Sequence, residues 1–284
     1  MAKQIYIRKA SSELVPYEEK KVIESLQRAH VEKKVVKKIL EEVTPTIQNG
    51  MSSKELYNRI YHLLSEYNSV YAAKYNLKQA IMALGPSGYP FEQFIGGMLK
   101  RLGYQTWTNQ MIKGKCITHE IDIVAERNNI HYMIEAKYHN IAGQKTGAQD
   151  ALYTQARFED VKDRWEHTEG EVHELHRGWL ITNTKLSIDA IQYANCVGLE
   201  VSSWDYPQGT SLRKLITSSG AHPITSLLSL TETQKEYLLD HNLVLCLDIL
   251  DMDAKHIKSL NMQSVRKEAE LLCHHTPESS FFTE

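Results

Sequence analysis

The chain has 284 residues, 42% hydrophobic and 24% charged, with a formal net charge of −2, a balance that supports sizeable buried cores and announces no nucleic-acid partner by bulk charge. Its four cysteines, Cys116, Cys196, Cys246 and Cys273, form no CxxC pair and have no histidine at zinc spacing, which argues against a disulfide framework or structural zinc and for a reducing, cytoplasmic setting. No apolar run reaches membrane-spanning length, and the opening MAKQIYIRKA alternates instead of building a signal-peptide core.

Residues 3–8 read as a short strand, and SSELVPY after them carries a Ser pair and a Pro that signal a turn. Four helical patterns follow: EEKKVIESLQRAHV, EKKVVKKILEEVTPTI, SSKELYNRIYHLLSEY and VYAAKYNLKQAIMAL. In the third, Ser52 or Ser53 caps the start, and Leu56, Ile60 and Leu63 share one face. GPSGYP, residues 85–90, breaks any helix and closes a mostly helical domain over residues 1–84. A second domain, 89–207, begins with the helix FEQFIGGMLKRLGY and the strand QTWTN, followed by the hairpin HEIDIVAERNNIHYMIEAKYH. The long helix GAQDALYTQARFEDVKDRWEH, the strand RGWLITNT, a helix starting near Ser187 and the strand LEVSSWDY complete it. This order predicts an α/β (α+β) fold: a mixed sheet flanked by helices, antiparallel at the hairpin and parallel through the later crossover. Residues 208–284 read as a small helical region suited to packing or dimerisation, so a homo-oligomer is one expectation, with TPESSFFTE as a loose tail. Residues 1–90 are net basic and the rest net acidic, so any nucleic-acid binding must come from local patches.

The hairpin holds the chemistry. With Asn128-Asn129 as a two-residue turn, Arg127 faces Ile130, Asp122 faces Glu135 and Glu120 faces Lys137. Alternation puts these four charges on one face and Ile121, Ile123, Ile134 and Ala136 on the other, against a core. A solvent-facing ion pair accounts for Glu120 and Lys137, but two opposed carboxylates repel each other. A divalent cation turns that repulsion into coordination, and hard oxygen ligands suit Mg²⁺ or Mn²⁺. A lysine two residues on can hold water or offset charge building on a phosphorus centre.

Asp122, twelve intervening residues, then Glu135-Ala136-Lys137 resemble the PD-(D/E)xK nuclease signature, with Ile121 standing where the family motif has Pro. Glu92 matches the glutamate that the family carries on the helix before the hairpin. GWLITNTKLSIDAIQYANCVGLEVSSWDYP is similar to the strand–helix–strand that completes the Mrr-like restriction endonuclease branch. The resemblance implies a metal-dependent nuclease acting on DNA, with Asp122 and Glu135 on Mg²⁺ or Mn²⁺, Lys137 at the water and Glu92 in support. It also draws in Gln155, because the Mrr-like branch often has a Gln on that helix; an ordinary surface position is the other reading.

In the first domain Arg8 and Lys9 end a strand while Lys20 and Lys21 open a helix, whose N-terminal N–H groups favour phosphate. A solvated basic surface explains the same residues. The segment also resembles the ATP-cone, a nucleotide-binding regulatory domain, through Arg8-Lys9, the run Val15 to Val22, GMSSKEL and AAKYNLKQA, although Ala10-Ser11-Ser12 replaces its usual Asp-Gly turn. That resemblance implies ATP or dATP as a regulatory ligand, contacted by Arg8, Lys9 and Lys21 and, more peripherally, by Glu13, Ser53 and Tyr57. The expectation is a cytoplasmic DNA endonuclease tuned by an adenine nucleotide. The alternative is a nucleotide sensor whose nuclease fold binds nucleic acid or a protein without cutting.

Overall fold

The computed structural model describes residues 4–9, 11–141, 143–166 and 175–274; the expected loose tail lies outside them. The N-terminal segment opens with strands β1 (Tyr6–Arg8) and β2 (Leu14–Pro16), paired antiparallel from Tyr6↔Pro16 to Arg8↔Leu14. The stretch expected to be only a turn thus supplies a strand, with Ser12 taking the left-handed conformation (φ 66°) where the chain reverses. Helices α1 (Glu19–Arg28), α2 (Lys33–Val43), α3 (Ser53–Tyr67), α4 (Ser69–Tyr75) and α5 (Leu77–Met82) follow. Ser52 caps α3, its side chain accepting the Glu55 N–H at 3.0 Å. The last expected helix is two, divided at Asn76, whose side chain accepts the Tyr57 hydroxyl. Leu26, Ile39, Ile60 and Leu64 are fully buried in this segment's core, each worth about 1.5–3 kcal/mol of burial.

The central segment runs α6 (Tyr89–Arg101), β3 (Gln105–Lys113), β4 (Thr118–Arg127), β5 (Ile130–Lys137), β6 (Lys145–Thr146), α7 (Ala148–Glu166), β7 (Leu175–Thr182), β8 (Lys185–Leu186), α8 (Ile188–Val197) and β9 (Glu200–Ser202). The five-stranded sheet has the order β3-β4-β5-β7-β9, antiparallel from β3 to β5 and parallel from β5 to β9. That is the mixed sheet expected from the element order. Phe91, Phe94 and Ile95 of α6 pack on one face with Ile123, Ala125 and Ile134. Phe158 and Val161 of α7 pack on the other with Ile121 and Met133. Ile121 and Ile123 therefore serve opposite faces, which corrects the single apolar face expected for the hairpin. The β3–β4 ladder skips one rung, between Thr108↔Ile123 and Gln110↔Ile121, where Asn109 turns to φ 53° opposite Asp122.

Five α-helices follow among the described residues: α9 (Leu212–Ser219), α10 (Glu232–Asp240), α11 (Cys246–Asp251), α12 (Ala254–Ser259) and α13 (Gln263–His274). Leu212 and Leu215 of α9 join the core on the α6 face of the sheet. The helices after it form a core that includes Val70 and Ala73 of α4. The Thr225 hydroxyl donates to the Ala80 carbonyl at 2.6 Å, a further tie between chain ends. Among the described residues no helix is long and apolar enough to cross a membrane.

Candidate active site

Asn128 and Asn129 take φ 54° and 60°, making the β4–β5 turn, and Arg127↔Ile130 is its first rung. The register holds to Ile123↔Ile134, the last paired rung. One step further the strands part, and the Asp122 carboxylate replaces the ladder acceptor by taking the Ala136 N–H at 2.8 Å. Asp122 and Glu135 so face one another just past the end of the ladder.

Glu92 reaches this place from the first turn of α6, near Gly88 and Tyr138. Burial, then the charges of Asp122 and Glu120, push its carboxyl from the ordinary 4.5 up to about 7. Glu135 is also pushed up to about 7, by burial first and then by Asp122, against the pull of Arg157 and Lys137. Burial raises Asp122 as well, opposed by the Ala136 N–H and Arg157. Three carboxyl groups thus share one partly buried space and resist ionising together.

From the other face of the sheet, Arg157 of α7 donates to Glu135 and to the Glu120 carbonyl. The sequence reading missed this residue. Its signal was faint: a charged side chain on α7 among positions that pack against the sheet, with Thr154 and Gln155 also buried. Lys137 pairs with Asp150 of α7 at 3.1 Å, not with Glu120 across the hairpin, because the ladder has opened before that rung. Gln155 is buried but turned along its helix: its amide donates to Glu159 at 2.6 Å, and its carbonyl oxygen meets no partner among the described residues.

The chain just beyond Lys137 is clamped. Asn183, after β7, accepts the His139 N–H at 2.9 Å and donates to the His139 carbonyl at 2.7 Å. The Tyr138 hydroxyl lies 2.6 Å from the Met82 carbonyl and 3.0 Å from that of Gly85.

Among the described residues no group of three or more His, Cys, Asp or Glu side chains forms a ready metal cage. Two carboxylates in mutual repulsion nonetheless fit Mg²⁺, which commonly takes one or two protein carboxylates and completes its shell with water and substrate phosphate. Asp122 and Glu135 are the residues that would hold it.

The residues expected at a nucleotide separate. Lys9 pairs with Glu13 at 3.0 Å and Lys21 with Glu18 at 2.7 Å. Arg8 bridges to Ser52, beside Ser53 at the start of α3. Tyr57 instead stacks on Tyr75 and lines a different cavity, with Ser25 and Arg28, that none of Arg8, Lys9 and Lys21 borders.

A mixed sheet with an Asp and an ExK set where its central hairpin opens is the frame of a restriction endonuclease-like domain, and residues 85–208 match the family model described as Restriction endonuclease (Mrr_cat). Residues 222–273 match a second model, AF1548-like, C-terminal. An uncharacterized protein of Archaeoglobus fulgidus is 37% identical over 175 residues, 62% of this chain and 94% of that protein. The crystal structure of a protein of unknown function, AF1548, aligns with TM-score 0.54 at 33% identity, covering 66% of this chain and 99% of that one. The chain belongs to the AF1548-like family, with a central domain of the nuclease class.

Proposed function

We propose that the chain is a metal-dependent endonuclease hydrolysing phosphodiester bonds in DNA. The observation that carries this reading is the pair Asp122 and Glu135 facing each other past the last rung of the hairpin, with Lys137 two residues on, inside the segment matched to restriction endonucleases. A bound Mg²⁺ or Mn²⁺ would neutralise these carboxylates and the scissile phosphate. Asp122 and Glu135 would hold the cation, and Glu92 stands beside them as a further carboxyl group. Lys137, steadied by Asp150, presents an ammonium that orients the attacking water and balances charge gathering on the phosphate oxygens. Arg157 fixes the Glu135 carboxylate. Gln155 lies on the same helix, and its unpartnered carbonyl oxygen is available as an acceptor.

The N-terminal segment would add regulation, with ATP or dATP held by Arg8 and Lys9 at the end of β1, beside Ser53, and by Lys21 from the first turn of α1. What supports this part is the close approach of Arg8 to the start of α3. The test is incubation of the full chain with supercoiled, linear and branched DNA, with Mg²⁺ or Mn²⁺, and with or without ATP and dATP. Metal-dependent cleavage is expected, abolished in Asp122→Ala and Lys137→Ala proteins that keep the wild-type circular dichroism spectrum. Intact DNA in every arm, with folded protein, overturns the reading and leaves a non-cutting sensor.

A further inference from the structure

A cavity of about 610 Å³ lies where the three segments of the chain meet, lined by α1, α3, α4 and α5 on one side and by β8, the turn after β9, and α9 on the other. Its volume falls within the range of small-molecule sites. Its charge is one-sided: Arg28, Lys74, Lys78, Lys185 and Arg213 line it, with Asp205 as the carboxylate. Asp205 is itself taken by Arg213 at 2.9 Å. Five cationic side chains thus line the cavity against this one carboxylate, and Lys74 and Lys78 are held in surroundings that burial makes unfavourable for an ammonium. Like charges gathered in a partly enclosed space cost free energy that a multivalent anion recovers.

A second observation points the same way. His222 is 3% exposed and lines this cavity, yet its Nδ1 has no hydrogen-bond partner among the described residues. Buried polar atoms are ordinarily satisfied, so an unpaired ring nitrogen on a cavity wall marks a place where a ligand atom or a water completes the bond. The walls also include aromatic rings. Trp204 is buried beneath the Lys78 ammonium, 5.6 Å from its ring centre, and Tyr75 stacks on Tyr57.

We propose that this cavity binds a phosphorylated small molecule of about nucleotide size, its phosphates against Arg28, Lys74, Lys78 and Lys185 and a polar atom of the rest within reach of the His222 ring. The site is separate from the candidate catalytic carboxylates and from Arg8, Lys9 and Lys21, none of which lines it, and it stands whether or not the chain cuts DNA. A duplex is disfavoured because the cations come from several elements around an enclosed space, whereas a phosphate backbone needs an open track.

The test is isothermal titration of the full chain with inorganic pyrophosphate and with ATP, in EDTA so that no cation bridges the probe to the carboxylates. Arg28→Gln and Lys185→Gln change exposed side chains and preserve the fold, checked by melting temperature. Each is expected to weaken binding of at least one probe tenfold or more, while Lys37→Gln on the exposed face of α2 stays within twofold for that same binding event. Absence of binding by both probes overturns the proposal. So does binding that Lys21→Gln abolishes and the cavity variants leave intact. Loss of affinity for a DNA duplex in the cavity variants, with neither probe bound, assigns the cations to the DNA track and also overturns it.

Discussion

Replacing Arg157 with methionine removes the guanidinium shared by Glu135 and the Glu120 carbonyl while keeping much of the buried volume. The Arg157 and Glu135 side chains are 9% and 19% exposed, so water cannot take over the pairing. Stranding one partner of a buried ion pair costs about 3–5 kcal/mol. The lower end applies because Glu135 has an escape: its carboxyl stands at about 7 against the ordinary 4.5, and it can take up a proton. At pH 8 in EDTA the expected loss is about 3 kcal/mol, roughly a 1 M fall in urea midpoint at slopes of 2–3 kcal/mol per molar. The pH dependence follows from counting protons. A carboxyl raised in the folded state holds its proton more tightly folded than unfolded, so stability falls as pH rises from 4.5 towards about 7. Without the guanidinium the folded carboxyl is raised further, and the variant goes on losing stability above 7 where the wild type has levelled off. The gap between them is therefore narrow near pH 5 and widest at pH 8. Millimolar MgCl₂ should recover more stability in the variant, since the cation takes the place of the lost positive charge. Urea titrations followed by tryptophan fluorescence at both pH values supply the numbers. A gap that does not change with pH, or no gap at all, refutes the reasoning.

Glu92→Gln removes a charge that burial and Asp122 resist, and in EDTA at pH 8 it should stabilise the protein. A rise from 4.5 to about 7 corresponds to roughly 3 kcal/mol, and partial exposure reduces the expected gain to about 1–2 kcal/mol. The advantage should disappear below pH 4.5, where the carboxyl is protonated folded or unfolded; thermal melts across pH check it. Gly178→Ala should cost about 1–3 kcal/mol by overpacking, because the new methyl meets Leu199 and the Phe158 ring at 2.9 Å; a chemical denaturation curve measures the loss. Asp160→Asn should destabilise the loop before β4, since Asp160 accepts the Cys116 N–H at 2.7 Å and meets His119 Nε2 at 2.8 Å. These contacts hold the Asp160 carboxyl below the ordinary 3.8, so the difference is full at neutral pH and shrinks as pH falls through the lowered value; amide hydrogen exchange of residues 115–119 reads it.

How much was legible depends on the range of the interaction. The β4–β5 register could be counted because it follows from a local turn and a side-chain period of two, and the observed rungs agree as far as Ile123↔Ile134. Beyond that rung it failed, since Asp122 accepts the Ala136 N–H and Asn109 breaks the neighbouring ladder, events set by three strands together. The mixed sheet was readable from element order for the same local reasons. Arg157 was not, because its meeting with Glu135 depends on how α7 is rotated over the sheet, and 22 residues of chain separate the two. Nor was the core joining α4 to the last helices, where Val70 and Ala73 meet Val265 and Ala269 from the far end of the chain.

The Tyr138 hydroxyl touches the carbonyls of Met82 and Gly85 and follows directly upon Lys137. The tether acts as a mechanical rivet between the last turn of the N-terminal helices and the strand carrying the candidate catalytic lysine. A rigid-body shift of those helices cannot occur without either dragging this strand end or stranding two carbonyl acceptors and a half-buried phenol. Together with the core that Leu77, Ile81 and Leu84 share with the sheet, this contact ties the position of the strand end to that of the last N-terminal helix.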